Sequence, residues 1–331
     1  MYKSGVVIGK FMPLHKGHLH MLEFAKNSCK KLTILVDHLV GETIPVDKRV
    51  EILKESFPDA NITIKAMSKQ MPQDPSEHSL FWNIWEEEIA SQTPDDLDVI
   101  VGAMDYIKDL SKLLMIDFLM IDKQRNFVPI SATQIRENPL KNWNFLAPAS
   151  KQLFLKKIVV VGGESTGKTT LTKALAEAHG TVWVPEYART AIEEDQKCDL
   201  STFRKIINGQ SSLLKSMLPH AQNGLIFCDT DLMATEVWLQ KMYPDSHTQM
   251  NQELYRSILE QRADLYVLTN NDIEWEKDNV RFYPDDKERQ WFMETFEERL
   301  KKMDVPYVKL TTRSLEERLA EVDEKIKGVF Q

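Results

Sequence analysis

Cysteine is scarce in this chain of 331 residues: Cys29, Cys198 and Cys228 are widely separated and form no C-x-x-C pair. That spacing argues against a disulfide framework or a thiolate zinc site, and a reduced, cytoplasmic setting is expected. Long apolar runs are also missing. Nothing approaches the roughly 18 residues of a membrane span, and the nearest candidate, Leu113 to Ile121, is broken by Asp117. The opening Met1-Tyr2-Lys3-Ser4-Gly5 leads into too short an apolar stretch for a signal peptide. Positive charge is in deficit, with 42 Lys and Arg against 50 Asp and Glu and a net charge of −8. A general affinity for DNA or anionic lipid is therefore not expected, whereas small anions can still bind in local pockets. Hydrophobic content of 42% and charged content of 28% exclude disordered, collagenous and coiled-coil classes. At roughly 150 residues per domain, the length predicts two domains.

What is present is an alternation of short β-branched runs with amphipathic stretches, the pattern of parallel α/β sheets. In the first half, strands are expected at Val6 to Ile8, Leu32 to Val36, Ile62 to Ala66, Val99 to Val101 and Phe118 to Ile121. Helices are expected at Leu19 to Lys30, Val46 to Phe57, Leu80 to Ala90 and Tyr106 to Leu114. The pattern loosens from Asn138 to Ser150, which places a boundary there and predicts domains at 1–150 and 151–331. The second series has strands at Ile158 to Val161, Thr181 to Val184, Leu225 to Cys228, Leu265 to Leu268 and Tyr307 to Leu310. Its helices fall near Lys168 to Ala178, Phe203 to Leu218, Leu232 to Lys241, Asp286 to Lys302 and Leu315 to Lys327, and Asn270 to Asp286 reads as a long surface loop.

The second half contains Gly162-Gly163-Glu164-Ser165-Thr166-Gly167-Lys168-Thr169, which satisfies G-x-x-x-x-G-K-[ST] between an expected strand and an expected helix. Such glycines let backbone N–H groups and the helix N-terminus face phosphates. Lys168 is then placed for the β and γ phosphates and the Thr169 hydroxyl for Mg²⁺. The acidic partner of the metal is expected at the end of a neighbouring strand, where Asp229 closes Leu225 to Cys228. Asp229 could bind Mg²⁺ or accept a proton from an attacking hydroxyl, while Asp231 is either its backup or a helix cap. Glu186 follows another strand, with Arg189 three residues on, and competes with Asp229 for the role of base. The loop around Arg281 and the helix start at Arg289 could form a lid carrying guanidinium groups to the transferring phosphoryl.

In the first half, the strand Val6 to Ile8 runs into Gly9-Lys10-Phe11-Met12-Pro13-Leu14-His15-Lys16-Gly17-His18, where two histidines flank a glycine before a helix. Two imidazole donors and a helix N-terminus around one spot predict a phosphate site. Zinc is the poorer reading, because no third ligand has suitable spacing. Late in this half, Ile130-Ser131-Ala132-Thr133-Gln134-Ile135-Arg136 opens a helix with two hydroxyls and an arginine, groups suited to a nucleotide's outer phosphates.

Together these two motifs resemble the nucleotidylyltransferase superfamily, with its [HT]-x-G-H loop and I-S-[ST]-T-x-x-R segment. With the P-loop half added, almost the whole chain resembles the NadR-type bifunctional proteins. Glu186-Tyr187-Ala188-Arg189, Asp229-Thr230-Asp231 and Val305-Pro306-Tyr307 are further similar stretches. The resemblance implies a Rossmann-like nucleotidylyltransferase domain followed by a P-loop NTPase kinase domain. It also implies NAD biosynthesis: ATP phosphorylates nicotinamide riboside to the mononucleotide, and a second ATP adenylylates the mononucleotide to NAD, with Mg²⁺ as cofactor. His15 and His18 are then expected at the α-phosphate, Lys10 and Arg136 at the departing pyrophosphate, and Ser131 and Thr133 holding it.

Trp82 stands where the family places aromatic contact with the nicotinamide ring, a contact that a cationic pyridinium favours by roughly 1 kcal/mol or more, while Trp85 is assigned to the core. Ala132 departs from the fuller I-S-S-T form, and the first strand begins too near Met1 to leave room for the helix-turn-helix of some relatives. Gly102 and Asp105, just after a central strand, are weak candidates for adenine contact. Alternatives are an adenylyltransferase and kinase fusion for coenzyme A or a non-catalytic nucleotide sensor. The expected partners are small molecules, with no DNA and no membrane, and the sequence is compatible with a homo-oligomer.

Overall fold

The computed structural model describes residues 1–195, 197–275 and 282–330, the side chains of 246–253 excepted. The chain falls into two units, Met1–Phe154 and Leu155–Gln331.

In the first unit, runs rich in Val, Ile and Leu become strands β1 (Tyr2–Gly9), β2 (Cys29–Val36), β3 (Ile62–Ala66), β4 (Val99–Gly102) and β5 (Asp117–Met120). The intervening amphipathic stretches become α1 (Lys16–Ser28), α2 (Val46–Ser56), α3 (Phe81–Gln92), α4 (Tyr106–Leu114) and the short α5 (Ala132–Glu137). The strands pair in parallel in the order β3-β2-β1-β4-β5, with Val7 opposite both Ile34 and Val101. Successive strands are added to opposite sides of β1, so the C-terminal ends of β1 and β4 form the crevice where α/β sheets receive ligands. Helices cover both faces, and the core divides accordingly: Val7, Leu22, Ile34 and Val101 lie in one cluster, Val6, Ile8, Ile100 and Leu110 in the other. Each such side chain contributes about 1.5–3 kcal/mol on burial. Residues 138–153 belong to this unit as well: Trp143, Leu146 and Ala147 are buried, and the Ala147 N–H donates to Leu14 O at 3.2 Å.

The second unit contains β6 (Lys156–Val161), α6 (Lys168–Ala178), β7 (Trp183–Val184), α7 (Tyr187–Asp195), α8 (Leu200–Met217) and β8 (Leu225–Asp229). It continues with α9 (Leu232–Met242), α10 (Pro244–Glu260), β9 (Leu265–Leu268), α11 (Asp286–Met303), β10 (Tyr307–Lys309) and α12 (Leu315–Phe330). The parallel order is β10-β9-β6-β8-β7, so β6 is central, with Val159 opposite Cys228 and Tyr266. Strands β8 and β9 are buried throughout, as in a sheet covered on both faces.

Two differences from expectation have local causes. The strand expected from Thr181 is only Trp183–Val184, because the Thr181 N–H is taken by Ala176 O at 2.9 Å in the turn that ends α6. Helices α7 and α10 were not foreseen. The expected loop from Asn270 is free of helix and strand where it is described, up to the cap of α11 at Asp285. Among the described residues, no helix is long and apolar enough to cross a membrane.

Candidate active sites

In the first unit, the chain leaves β1 at Gly9, passes a cis Met12–Pro13 bond and enters α1 with His15 as its cap. The Nδ1 of His15 accepts the Gly17 N–H at 3.1 Å, which fixes the neutral tautomer with its proton on Nε2. Gly17 lets the His15 ring lie close, since a Cβ there would stand 3.0 Å from it. The His15 and His18 rings stack at 3.8 Å, and Phe11 meets His18 edge-on at 5.1 Å. Burial, reinforced by the Arg125 charge, pulls His15 down to about 4. Burial, then His15 and Arg125, hold His18 well below the usual imidazole value against a weaker upward pull from the Pro13 backbone. Two uncharged imidazoles therefore stand at the strand-to-helix turn at neutral pH.

The other expected groups of this site are held by specific partners. Lys10 pairs with Glu42 at 2.9 Å, and Glu42 also takes the buried Arg49 at 2.6 Å. Arg49 in turn donates to the carbonyls of Lys10 (2.7 Å) and Asp37 (3.0 Å), tying the loop after β1 to the end of β2. Arg136 donates to Met12 O at 2.5 Å and to the Thr133 hydroxyl at 3.2 Å. The long-range contact with Met12 brings α5 to the histidine loop. Ser131 caps α5 in a reciprocal arrangement with Gln134. Trp82 is half-buried with its ring 4.9 Å from Phe81, and Trp85 packs in the same cluster with its indole N–H on Pro72 O at 3.0 Å. Gly102 lies against Ile107, and Asp105 pairs with Lys108 and Lys123.

In the second unit, the loop from Gly162 to Thr169 leaves the central strand β6 and opens α6. Gly162 has φ +147°, and a Cβ there would stand 2.1 Å from the Thr269 hydroxyl; Gly167 has φ +81°. Both positions need glycine. Lys168 donates to Gly163 O at 2.7 Å, as does the Thr166 hydroxyl at 2.9 Å. Ser165 takes φ 54°. Glu164 accepts the backbone N–H groups of Phe282 (2.8 Å) and Tyr283 (2.9 Å), with the Trp275 indole 3.4 Å away.

The Thr169 hydroxyl bonds Asp229 Oδ2, while Asp229 Oδ1 is buried with no hydrogen-bond partner among the described residues. Asp231 is the helix cap: it accepts from Ala234 N at 3.1 Å and from the Tyr266 hydroxyl at 2.7 Å. Glu186 lies 3.6 Å from Arg189. Burial lifts Glu186 above the usual carboxylate value, as do the Asp229 and Glu164 charges, against the downward pull of Lys168 and Arg189. A cleft brings Lys168, Glu186 and Arg189 together with the apolar Phe203, Trp238 and Phe282. Across the loop, a second hollow is bordered by Gly167, Thr170, Ile273 and Arg318. Arg289 is buried, donating to Ile273 O at 2.7 Å with Asp286 at 3.6 Å; Arg281 lies outside the described residues.

The sequence reading did not find Arg49 and Glu42, Arg125, Arg318 or Trp238. Their roles rest on partners distant in the chain or on a cleft formed only by folding, and no local pattern marks them. Among the described residues, no group of three or more His, Cys, Asp and Glu side chains is gathered for a metal.

Residues 6–138 match the cytidylyltransferase-like family and residues 157–318 the AAA domain family. The trifunctional NAD biosynthesis/regulator protein NadR of Salmonella typhimurium is 27% identical over 98% of this chain and 83% of its own length. Its Escherichia coli counterpart is 27% identical over the same shares. The nicotinamide-nucleotide adenylyltransferase of Thermococcus kodakarensis is 24% identical over 56% of this chain and its whole own length. Among solved structures, a NadR protein in complex with NAD and AMP-PNP superposes with a TM-score of 0.79 at 24% identity, covering 100% of this chain and 97% of that one. This chain is thus a homologue of the NadR proteins along nearly its whole length, a cytidylyltransferase-like domain followed by an AAA domain.

Proposed function

We propose that this chain makes NAD in two steps, the first in a kinase domain at 151–331 and the second in an adenylyltransferase domain at 1–150. ATP phosphorylates nicotinamide riboside to nicotinamide mononucleotide, and a second ATP adenylylates the mononucleotide to NAD with release of pyrophosphate. What supports this reading is that, in a NadR-like chain, the central strand of each of two sheets runs into a glycine-bearing turn that opens a helix.

In the kinase domain, the loop's N–H groups and Lys168 receive the ATP phosphates, Lys168 exchanging the Gly163 carbonyl for a phosphate oxygen. Gly162, Gly163, Glu164, Ser165, Thr166 and Gly167 supply the cradle, and the hollow beside Gly167 suits the base. Thr169 and Asp229 fit Mg²⁺: a hydroxyl and a carboxylate with one unpartnered oxygen are hard donors, and the nucleotide phosphates complete the set. Bound there, Mg²⁺ supplies neutralisation of charge on the phosphate oxygens. The riboside occupies the cleft, where Trp238 and Phe282 suit a cationic ring and Glu186 or Asp229 takes the proton of the attacking 5′-hydroxyl. Arg189 fixes Glu186 and borders the acceptor. Arg289, on α11, donates to Ile273 O and so ties that helix to the segment after β9.

In the adenylyltransferase domain, the nucleophile is already an anion, so catalysis consists of alignment and charge stabilisation. His15 and His18, neutral and buried, present N–H donors toward the α-phosphate without first losing hydration. Lys10, Arg136, Ser131 and Thr133 receive the pyrophosphate, and Trp82 meets the nicotinamide.

The test is incubation of the protein with nicotinamide riboside and Mg-ATP, with products followed by chromatography. NAD should accumulate, with mononucleotide as a transient. Formation of neither product would overturn the reading.

A further inference from the structure

Arg318, on α12, lies 152 residues beyond Thr166 of the phosphate loop, yet it is only 2% exposed and one of its four donor contacts reaches that loop. Nη1 donates to Thr166 O at 2.8 Å. Nη2 reaches Asn270 Oδ1 at 2.8 Å and Asp272 Oδ1 at 2.7 Å, and Nε reaches Thr312 O at 3.0 Å. The residue thus joins three segments: the phosphate loop, the segment after β9 and the segment after β10. Its nitrogens are committed to the chain, and its side chain forms part of the wall of the hollow beside Gly167.

The contact with Thr166 matters because that carbonyl shares one planar trans peptide with the Gly167 N–H, and the two point in opposite directions. Holding the carbonyl on the Arg318 side turns the Gly167 N–H to the other side. The Gly167 backbone has φ +81°, a region that only an outside contact or the absence of a Cβ makes comfortable, and a Cβ would stand 3.1 Å from Nη1.

We propose that Arg318 is a positioning residue for the kinase reaction: by gripping Thr166 O it presets the Gly167 N–H as a phosphate donor before nucleotide arrives. This rests on the reading of the second domain as an ATP-dependent kinase. The charge is matched by Asp272, so the clasp is a charge-assisted fork that lysine can copy only in part.

The experiment is calorimetric titration of the full chain with Mg-ADP, following the binding component that Lys168→Ala abolishes. It is paired with steady-state kinetics of riboside phosphorylation. Arg318→Met should weaken ADP binding and raise the KM for ATP about tenfold or more, with Arg318→Lys intermediate. The KM for the riboside and NAD formation from supplied mononucleotide should stay at wild type. A folded Arg318→Met protein with wild-type ADP affinity, or one that loses kcat at constant KM, would overturn the proposal. Where Arg318→Met does not fold, Arg318→Lys and Asn270→Ala decide it, and unchanged ADP affinity in both counts against the clasp. A wild-type protein that binds ADP at this loop but never phosphorylates the riboside would refute the kinase reading, while the ADP comparison still decides the role of Arg318.

Discussion

His15 and Glu186 are both shifted chiefly by burial, which moves an imidazole down and a carboxyl up and so yields opposite pH behaviour. The folded value of His15, about 4, lies below the 6.5 of the unfolded imidazole, so the unfolded chain takes up protons first as pH falls. Its contribution to stability is whole above about pH 6.5 and is lost toward pH 4, by about 3 kcal/mol at most. His15→Asn keeps a cap acceptor for Gly17 but removes the titration, so denaturant melts between pH 7 and 4 should show a shallower loss than wild type. Glu186 is raised instead, and a base must be ionised to act. The kcat/KM of riboside phosphorylation should therefore rise with pH through a value above the ordinary 4.5. Glu186→Gln should lower the rate on the order of 10²-fold and remove that limb. Persistence of the limb in Glu186→Gln, with its disappearance in Asp229→Asn, would assign the base to Asp229.

At the scale of elements, each site is the turn between a central strand and the helix that follows, and both turns were legible because their chemistry is local. A histidine cap two residues before a glycine, and a glycine loop ending in Lys-Thr, are written in consecutive residues. Strands β3 and β9 and helices α4 and α6 lie where the hydrophobic period placed them. Helix α10 was hidden because its start, Pro244-Asp245-Ser246-His247-Thr248, is poor in helix formers, and α7 because it opens directly from the motif around Glu186. Arg49 and Arg318 were illegible for a different reason, and Arg289, expected on a lid, is instead buried on α11. Their lysine-like sequence context suggests solvated charge, and only the fold brings backbone carbonyls of distant segments to each buried guanidinium. The phosphate loop makes a prediction of its own. Gly162→Ala would drive a Cβ into Thr269, whose hydroxyl also holds Val161 O and Thr166. The second domain should lose roughly 2 kcal/mol or more, and the KM for ATP in the kinase reaction should rise over tenfold. Calorimetric melting and initial rates check this, with NAD formation from mononucleotide as the unaffected control.

For the whole molecule, the account is that two phosphate sites on two separate sheets carry out consecutive steps, the product of one being the substrate of the other. Each domain has its own core, so damage to one site should leave the other intact. The most direct measurement compares His18→Ala and Lys168→Ala, each supplied with Mg-ATP and either nicotinamide riboside or nicotinamide mononucleotide, with products resolved by chromatography. His18→Ala should convert riboside to mononucleotide at the wild-type rate and stop there, its NAD formation down on the order of 10²-fold. Lys168→Ala should make NAD from supplied mononucleotide and nothing from riboside. Loss of both activities in either folded variant would contradict the account.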